Sequence, residues 1–254
     1  MNTMFTKPEA IEKRSFEIID KELAIRGGKN TRLPLEDEIV KRVIHTSADF
    51  EFDDSIVFTH GAAQAAFDLL RSGIDIVTDT MMAKTGINKA LFSKTPGSLH
   101  CFMADADVAD AALRNGVTRA YASVDKAAAL GKALMFAIGN APTALIRIYE
   151  LLNEKKLDAK LVIAAPVGFV NVVEAKELFL DADIPCIVAR GRKGGSAVAA
   201  AIVNALLKAA FRTDASTLQR LNRLYYTTLT QVGGGKYETK EISCQAHGDG
   251  EEAA

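Results

Sequence analysis

Tryptophan is absent from these 254 residues, aromatics amount to 7%, and only three cysteines occur, Cys101, Cys186 and Cys244. Binders of single-stranded nucleic acid stack bases on aromatic rings, and this composition is poor in such rings. Three cysteines spaced this far apart supply neither a disulfide framework nor a cysteine-built zinc site, and they fit a reducing cytoplasmic setting. Charge of one sign is missing too: 31 Lys and Arg against 32 Asp and Glu leave a formal net charge of −1. With no overall basic field, nucleic acid is not an expected partner, and any anionic ligand must be gripped by a local cluster of cations. No apolar run approaches the roughly 18 residues that span a bilayer, so no membrane association is expected. The opening MNTMFTKPEAIEKRSF lacks the apolar core of a signal peptide. Also missing are a G-x-S-x-G elbow, an H-E-x-x-H pair, a Walker loop and a diagnostic carboxylate pair. No G-x-G-x-x-G is followed by an acidic residue some 20 positions on, so a nicotinamide site is a poor reading.

Short apolar runs alternating with amphipathic stretches are what the chain does have. Strands are expected at 74–79 (IDIVTD), 98–103 (SLHCFM), 133–139 (ALMFAIG), 161–165 (LVIAA) and 185–189 (PCIVA). Several are apolar without alternation, the pattern of strands covered on both sheet faces. Helical patterns fill the gaps at 107–114, 119–131, 142–156, 171–181 and 195–210. Alternation of this kind predicts right-handed crossovers and a parallel sheet. The expected class is α/β: a three-layer α/β/α, flavodoxin-like sheet of about five strands with extra N-terminal helices. Pro8 and Pro34 open two of those helices and a third covers 61–71. Residues 47–58 read equally as loop or as a short extra strand. The domain is expected to span 1–210. Residues 211–254 form an extension, weakly helical to about 231, broken by GGGK and ending in an acidic tail.

A sheet with strand order 2-1-3-4-5 opens a crevice where its first and third strands send crossovers to opposite faces. The loops there are TMMAKTG (80–86) and GNAPT (139–143), with 166–170 and 190–195 beside them. At 139–143, Asn140 and Thr143 sit at a helix start fixed by Pro142, where free amides attract an anion. A well-made loop with no ligand accounts for the same residues. In 190–196, Arg190, Arg192 and Lys193 are interleaved with Gly191, Gly194 and Gly195 before Ser196, a composition suited to carboxylate or phosphate. Its bland counterpart is a solvated turn whose glycines serve only close packing. Met81 and Met82 read as core or pocket lining. Asp105, Asp107 and Asp110 lack the glycine and terminal Glu of a calcium loop, so helix capping is the better reading.

Four histidines are present: His45, His60, His100 and His247. A histidine at a helix C-terminus, such as His45, is ordinarily a dipole-compensating cap. Thr46, Ser47 and Asp49 add a polar cluster that could orient its ring. His60 precedes a helix as a cap would, His100 in an apolar strand reads as buried packing, and His247 lies in the tail.

KRSFEII (13–19), VIHTSAD (43–49), TDTMMAKTG (78–86), IGNAPTAL (138–145), PVGFVNVVEAK (166–176) and RGRKGGSAVAAAIVNAL (190–206) occur in that order. As a set they resemble the precorrin-8X methylmutase family from about residue 8 to 208. The resemblance implies an isomerase of cobalamin biosynthesis that moves a methyl group from C-11 to C-12 of a tetrapyrrole. The product is hydrogenobyrinic acid, or cobyrinic acid from the cobalt-containing substrate. It implies His45 as the proton donor, with Ser15 and, in the looser match VTRAYAS, Arg119 contacting the macrocycle. It further implies a homodimer with sites near the subunit interface and no cofactor or metal of its own. A broad, flat macrocycle bearing several carboxylates suits the anion-friendly turns, with Met81, Met82 and Phe169 facing the ring. Two other readings stand beside it: a non-catalytic corrinoid-binding protein of the same fold, and a flavodoxin-like enzyme binding phosphate or a sugar phosphate.

Overall fold

The computed structural model describes residues 6–27 and 32–212; the expectations for 213–254, and His247 with them, lie outside the described residues. The chain opens with α1 (Pro8–Ile25), α2 (Pro34–Ser47), α3 (Phe52–Ser55), β1 (Ile56–Thr59) and α4 (Ala62–Ser72). Then come β2 (Asp75–Thr78), α5 (Met81–Gly86), α6 (Lys89–Phe92), β3 (Leu99–His100), α7 (Ala106–Asn115) and α8 (Arg119–Ala128). It continues through β4 (Leu134–Ile138), α9 (Pro142–Asn153), β5 (Ala159–Ala164), α10 (Val172–Glu177), β6 (Cys186–Ala189) and α11 (Ser196–Ala210).

The sheet runs β1-β6-β5-β4-β2-β3. All its pairings are parallel except the edge strand β1, which runs antiparallel to β6 with Ile56 opposite Ala189. The five parallel strands reproduce the order 2-1-3-4-5, and the sixth settles 47–58 as a short helix followed by a strand. Alternate residues divide the two cores. Ile76, Met135, Ala137, Leu161, Ile163 and Ile187 pack against α2, α4 and α11. Val77, Phe136, Ile138, Val162 and Val188 pack against α8, α9 and α10. These three layers leave both sheet faces covered, which is why the strands are apolar throughout.

The crossover from β2 to β3 puts Ile87 and Phe92 on the α11 face, whereas α9 leaves β4 on the other. The loops diverge at the carboxyl ends of β2 and β4, the switch point at which a crevice is expected. Where a loop was expected at 80–86, Thr80 caps a six-residue helix by accepting the Ala83 N–H at 3.0 Å. KTPG (94–97) forms a tight closure before β3. Pro96 fills the space beside Gly73, Thr95 is buried, and the Ser98 N–H donates to Asp75.

Candidate active site

The crevice is held together from within. Asp79, just beyond β2, is 3% exposed, and its carboxylate accepts the N–H groups of Gly139 (2.8 Å), Asn140 (2.7 Å) and Ala141 (2.6 Å). The amides expected to attract a ligand anion at this turn are therefore already occupied by a side chain of the same protein. Burial holds the Asp79 carboxyl above the ordinary carboxylate value, against the three main-chain donors that pull it down. Both oxygens accept, and only the ionised form is acceptor-only. Gly139 is required by close approach: a Cβ there would stand 2.6 Å from Ser196 Cα. Across this contact the Ser196 and Thr80 hydroxyls share a hydrogen bond of 2.7 Å, tying α11 to α5.

The loop after β6 is pinned from several sides. Lys176 on α10 is fully buried and donates to the carbonyls of Gly191 and Lys193, both at 2.8 Å. Desolvation lowers its ammonium from the ordinary value to about 8. Gly168 N–H donates to Arg192 O (3.1 Å) and Gly195 N–H to Ala165 O (2.8 Å). Gly194 lies so close to β5 that a Cβ would stand 2.3 Å from Ala165 O. Here the glycine serves close packing.

The three cations of this loop have different fates. Arg190 makes a two-pronged ion pair with Glu177, Nε to Oε1 at 3.0 Å and Nη2 to Oε2 at 2.9 Å. That pair, rather than a ligand, takes up its fork. Lys193 reaches Asp49 (2.6 Å) and Glu51 (2.9 Å). Arg192 alone meets no carboxylate among the described residues; its guanidinium lies over the Phe169 ring, 5.6 Å from the centroid.

The Lys193–Asp49 pair also locates His45. It joins the loop at the carboxyl end of β6 to the turn after α2, so the last turn of α2 stands at the same end of the sheet as the crevice. His45 is exposed, and its ring stacks on Phe16 of α1 (centroids 5.3 Å apart, planes 3° from parallel), over which Arg42 also lies (4.8 Å). Ser15 is the neighbour of that Phe, and its hydroxyl donates back to Ile11 O at 2.8 Å. Thr46 and Ser47 likewise bond their own helix, at Arg42 O and Val43 O, so they do not orient the imidazole.

Arg119 is the first residue of α8, which runs opposite to β4 and so begins at the carboxyl end. A hydroxyl bond of 2.7 Å between Thr118 and Thr143 fixes this start beside the 139–143 turn. Arg119 is exposed, and neither it nor the Asn140 side chain has a partner among the described residues. Met81 (47% exposed) and Met82 (70%) are not core; with Val167, Phe169 (81%) and Val170 they leave apolar surface at the crevice end.

Other expectations fare less well. Asp105 caps α7 without a side-chain bond; it and Asp107 bind Lys126 instead. His100 is half-buried at the far end of the sheet, 3.2 Å from Asp75 Oδ2 and stacked on Phe102. His60 takes a positive φ of 48°, and Gly61 is the residue that caps α4.

Asp79 and Lys176 were the residues missed. Both lie inside the quoted motifs, but the partners of Asp79 come 60 positions later and those of Lys176 are carbonyls. One sign was available for Lys176: it shares a helix face with Val172 four residues earlier, and that face is buried.

Comparison with known proteins agrees with the geometry. The family profile described as Precorrin-8X methylmutase matches residues 10–209. A cobalt-precorrin-8 methylmutase from Salmonella typhimurium is 44% identical over 203 residues, covering 79% of this chain and 95% of the relative. One from Priestia megaterium is 42% identical, covering 79% and 87%. The crystal structure of precorrin-8X methylmutase from Thermus thermophilus superposes with a TM-score of 0.71 at 35% identity, over 80% of this chain and 96% of that one. This chain belongs to the precorrin-8X methylmutase family of isomerases.

Proposed function

We propose that the protein moves a methyl group from C-11 to C-12 of precorrin-8X or cobalt-precorrin-8, giving hydrogenobyrinic acid or cobyrinic acid, with His45 as the proton donor. Substrate and product are isomers, so a proton lent to the macrocycle to ease the migration is recovered afterwards. One acid and firm positioning are sufficient, and an imidazole titrates near neutrality where such an acid works best. The observation that carries this reading is the exposed His45 ring, braced flat on Phe16 at the crevice end of the sheet. Arg119 and Arg192, which have no carboxylate partners among the described residues, suit the carboxylate arms of the macrocycle. Asn140, Thr143, Thr80 and Ser196 supply neutral polar contacts, and Ser15 a hydroxyl acceptor beside the histidine. Met81, Met82 and Phe169 offer the apolar, polarisable surface a flat ring needs. Arg190 and Gly194 we assign to the architecture of the loop rather than to the ligand. We further propose a homodimer in the cytoplasm, its apolar crevice rim near the subunit contact. Among the described residues, no helix is long and apolar enough to cross a membrane.

The test is turnover of both the metal-free and the cobalt substrate by purified protein, followed by absorbance. The His45→Ala variant is expected to lose roughly 10²–10⁴-fold in rate while still binding product. Full activity in that variant removes His45 from the mechanism. Wild-type protein that binds product tightly but turns over neither substrate is a corrinoid-binding protein instead.

A further inference from the structure

Lys176 stands out because its buried ammonium meets main-chain carbonyls where a carboxylate would be the usual partner. Its ammonium is fully buried, makes no carboxylate pair among the described residues, and spends its donors on two main-chain carbonyls of one loop. Burying an ammonium is costly, and a helix face shared with Val172 calls for an apolar side chain. What this lysine achieves is the shape of residues 190–195. Its neighbour Glu177 clamps Arg190 from outside, while Gly168 N–H takes the carbonyl of Arg192, so consecutive loop residues are all fastened. In that shape one cation is left over. The Arg192 guanidinium lies over Phe169, among the exposed apolar residues at this end of the sheet.

We propose that Lys176 is a positioning residue: by clasping the carbonyls of Gly191 and Lys193 it holds the loop in the one conformation that presents Arg192 to a carboxylate arm of the ligand. The role rests on the function proposed above. Lys176 touches no ligand; it acts through Arg192. Its effect therefore falls on ligand affinity and KM, with kcat at saturation nearly unchanged, because the proton donor stands on a different element.

The test is a double-mutant cycle on the full chain, titrated with hydrogenobyrinic acid by absorbance. Arg192→Ala is expected to weaken binding about tenfold or more, the loss of one charge-assisted hydrogen bond. Lys176→Met is expected to weaken it to a similar degree, and the double variant no further, since both changes remove the same contact. Lys176→Gln keeps a donor for one carbonyl and should fall between Lys176→Met and wild type; it replaces the Met variant in the cycle if circular dichroism shows that one unfolded. Trypsin supplies a local readout: cleavage after Arg190, Arg192 or Lys193 should accelerate in the Lys176 variants while circular dichroism is unchanged. Weakening by the two changes that multiplies, unaltered affinity in the Lys176 variants, or equal loop protection overturns the proposal. Wild-type protein that neither binds nor turns over a tetrapyrrole instead overturns the functional reading on which it rests.

Discussion

Replacing Asp79 by Asn removes one charge and changes almost no volume, so its effect isolates the electrostatics of the crevice. The carboxylate takes Gly139 N–H on Oδ1 and those of Asn140 and Ala141 on Oδ2. An Asn best serves these donors by turning its single oxygen toward Asn140 and Ala141. Its NH₂ then faces Gly139 N–H, donor against donor, at a buried position. Loss of the charge-assisted bond costs about 1.5–3 kcal/mol, and the orphaned donor about 1–3 kcal/mol more. The sum, about 2.5–6 kcal/mol, corresponds to a fall in Tm of roughly 5–20 °C for a domain of this size. Urea unfolding of Asp79→Asn beside wild type reads the energy, and amide exchange at Gly139 reads the place. The outcome also decides between the opposed influences on this group. A neutral carboxyl already carries one donor, so Asn would mimic it and cost under about 1 kcal/mol. A loss that small, or unchanged protection of the Gly139 amide, refutes an ionised Asp79 as the anchor of the turn.

Two further outcomes follow from the same packing. Burial holds Lys176 at about 8 instead of the ordinary 10.5, so between those values the unfolded chain binds a proton that the folded chain does not. Stability should therefore rise with pH across that window by about 3 kcal/mol relative to Lys176→Met. Parallel urea-stability profiles for the two proteins from pH 7 to 10.5 would sink this. The neutral amine keeps two N–H groups, so the clasp itself survives deprotonation. For Gly139→Ala, the added Cβ would meet Ser196 main-chain atoms at 2.6 and 2.8 Å, which neither partner relieves by rotating a side chain. A loss of about 1–3 kcal/mol or more is expected, and an unfolding midpoint equal to wild type would show that the turn and α11 separate freely.

What the sequence disclosed, and what it withheld, divides along physical lines. Strands buried on both faces are apolar whatever their neighbours, and βα alternation permits few topologies, so the parallel part of the sheet and its switch point were legible. β1 was not, because it is a four-residue edge strand with only Ile56 buried, held by main-chain pairing to β6. The helix at Met81–Gly86 was hidden for the same kind of reason: six residues are too few to show a helical period, and its one local sign is the cap at Thr80.

The candidate site shows a different limit. Anion-friendly turns were read from local composition, which counts donors and cations without revealing whether the chain satisfies them itself. At 139–141 it does, through Asp79; at Arg190 and Lys193 it does, through Glu177, Asp49 and Glu51. On the proposed function, a carboxylate-bearing ligand would meet Arg119 at one helix start and Arg192 on the loop, which pair with no carboxylate among the described residues. On that reading internal pairing works by subtraction: the amides of this turn are filled by Asp79 and are not free for a second anion. The same proposal then puts the arms of the ligand outside that turn, toward the exposed guanidinium groups and the His45 ring.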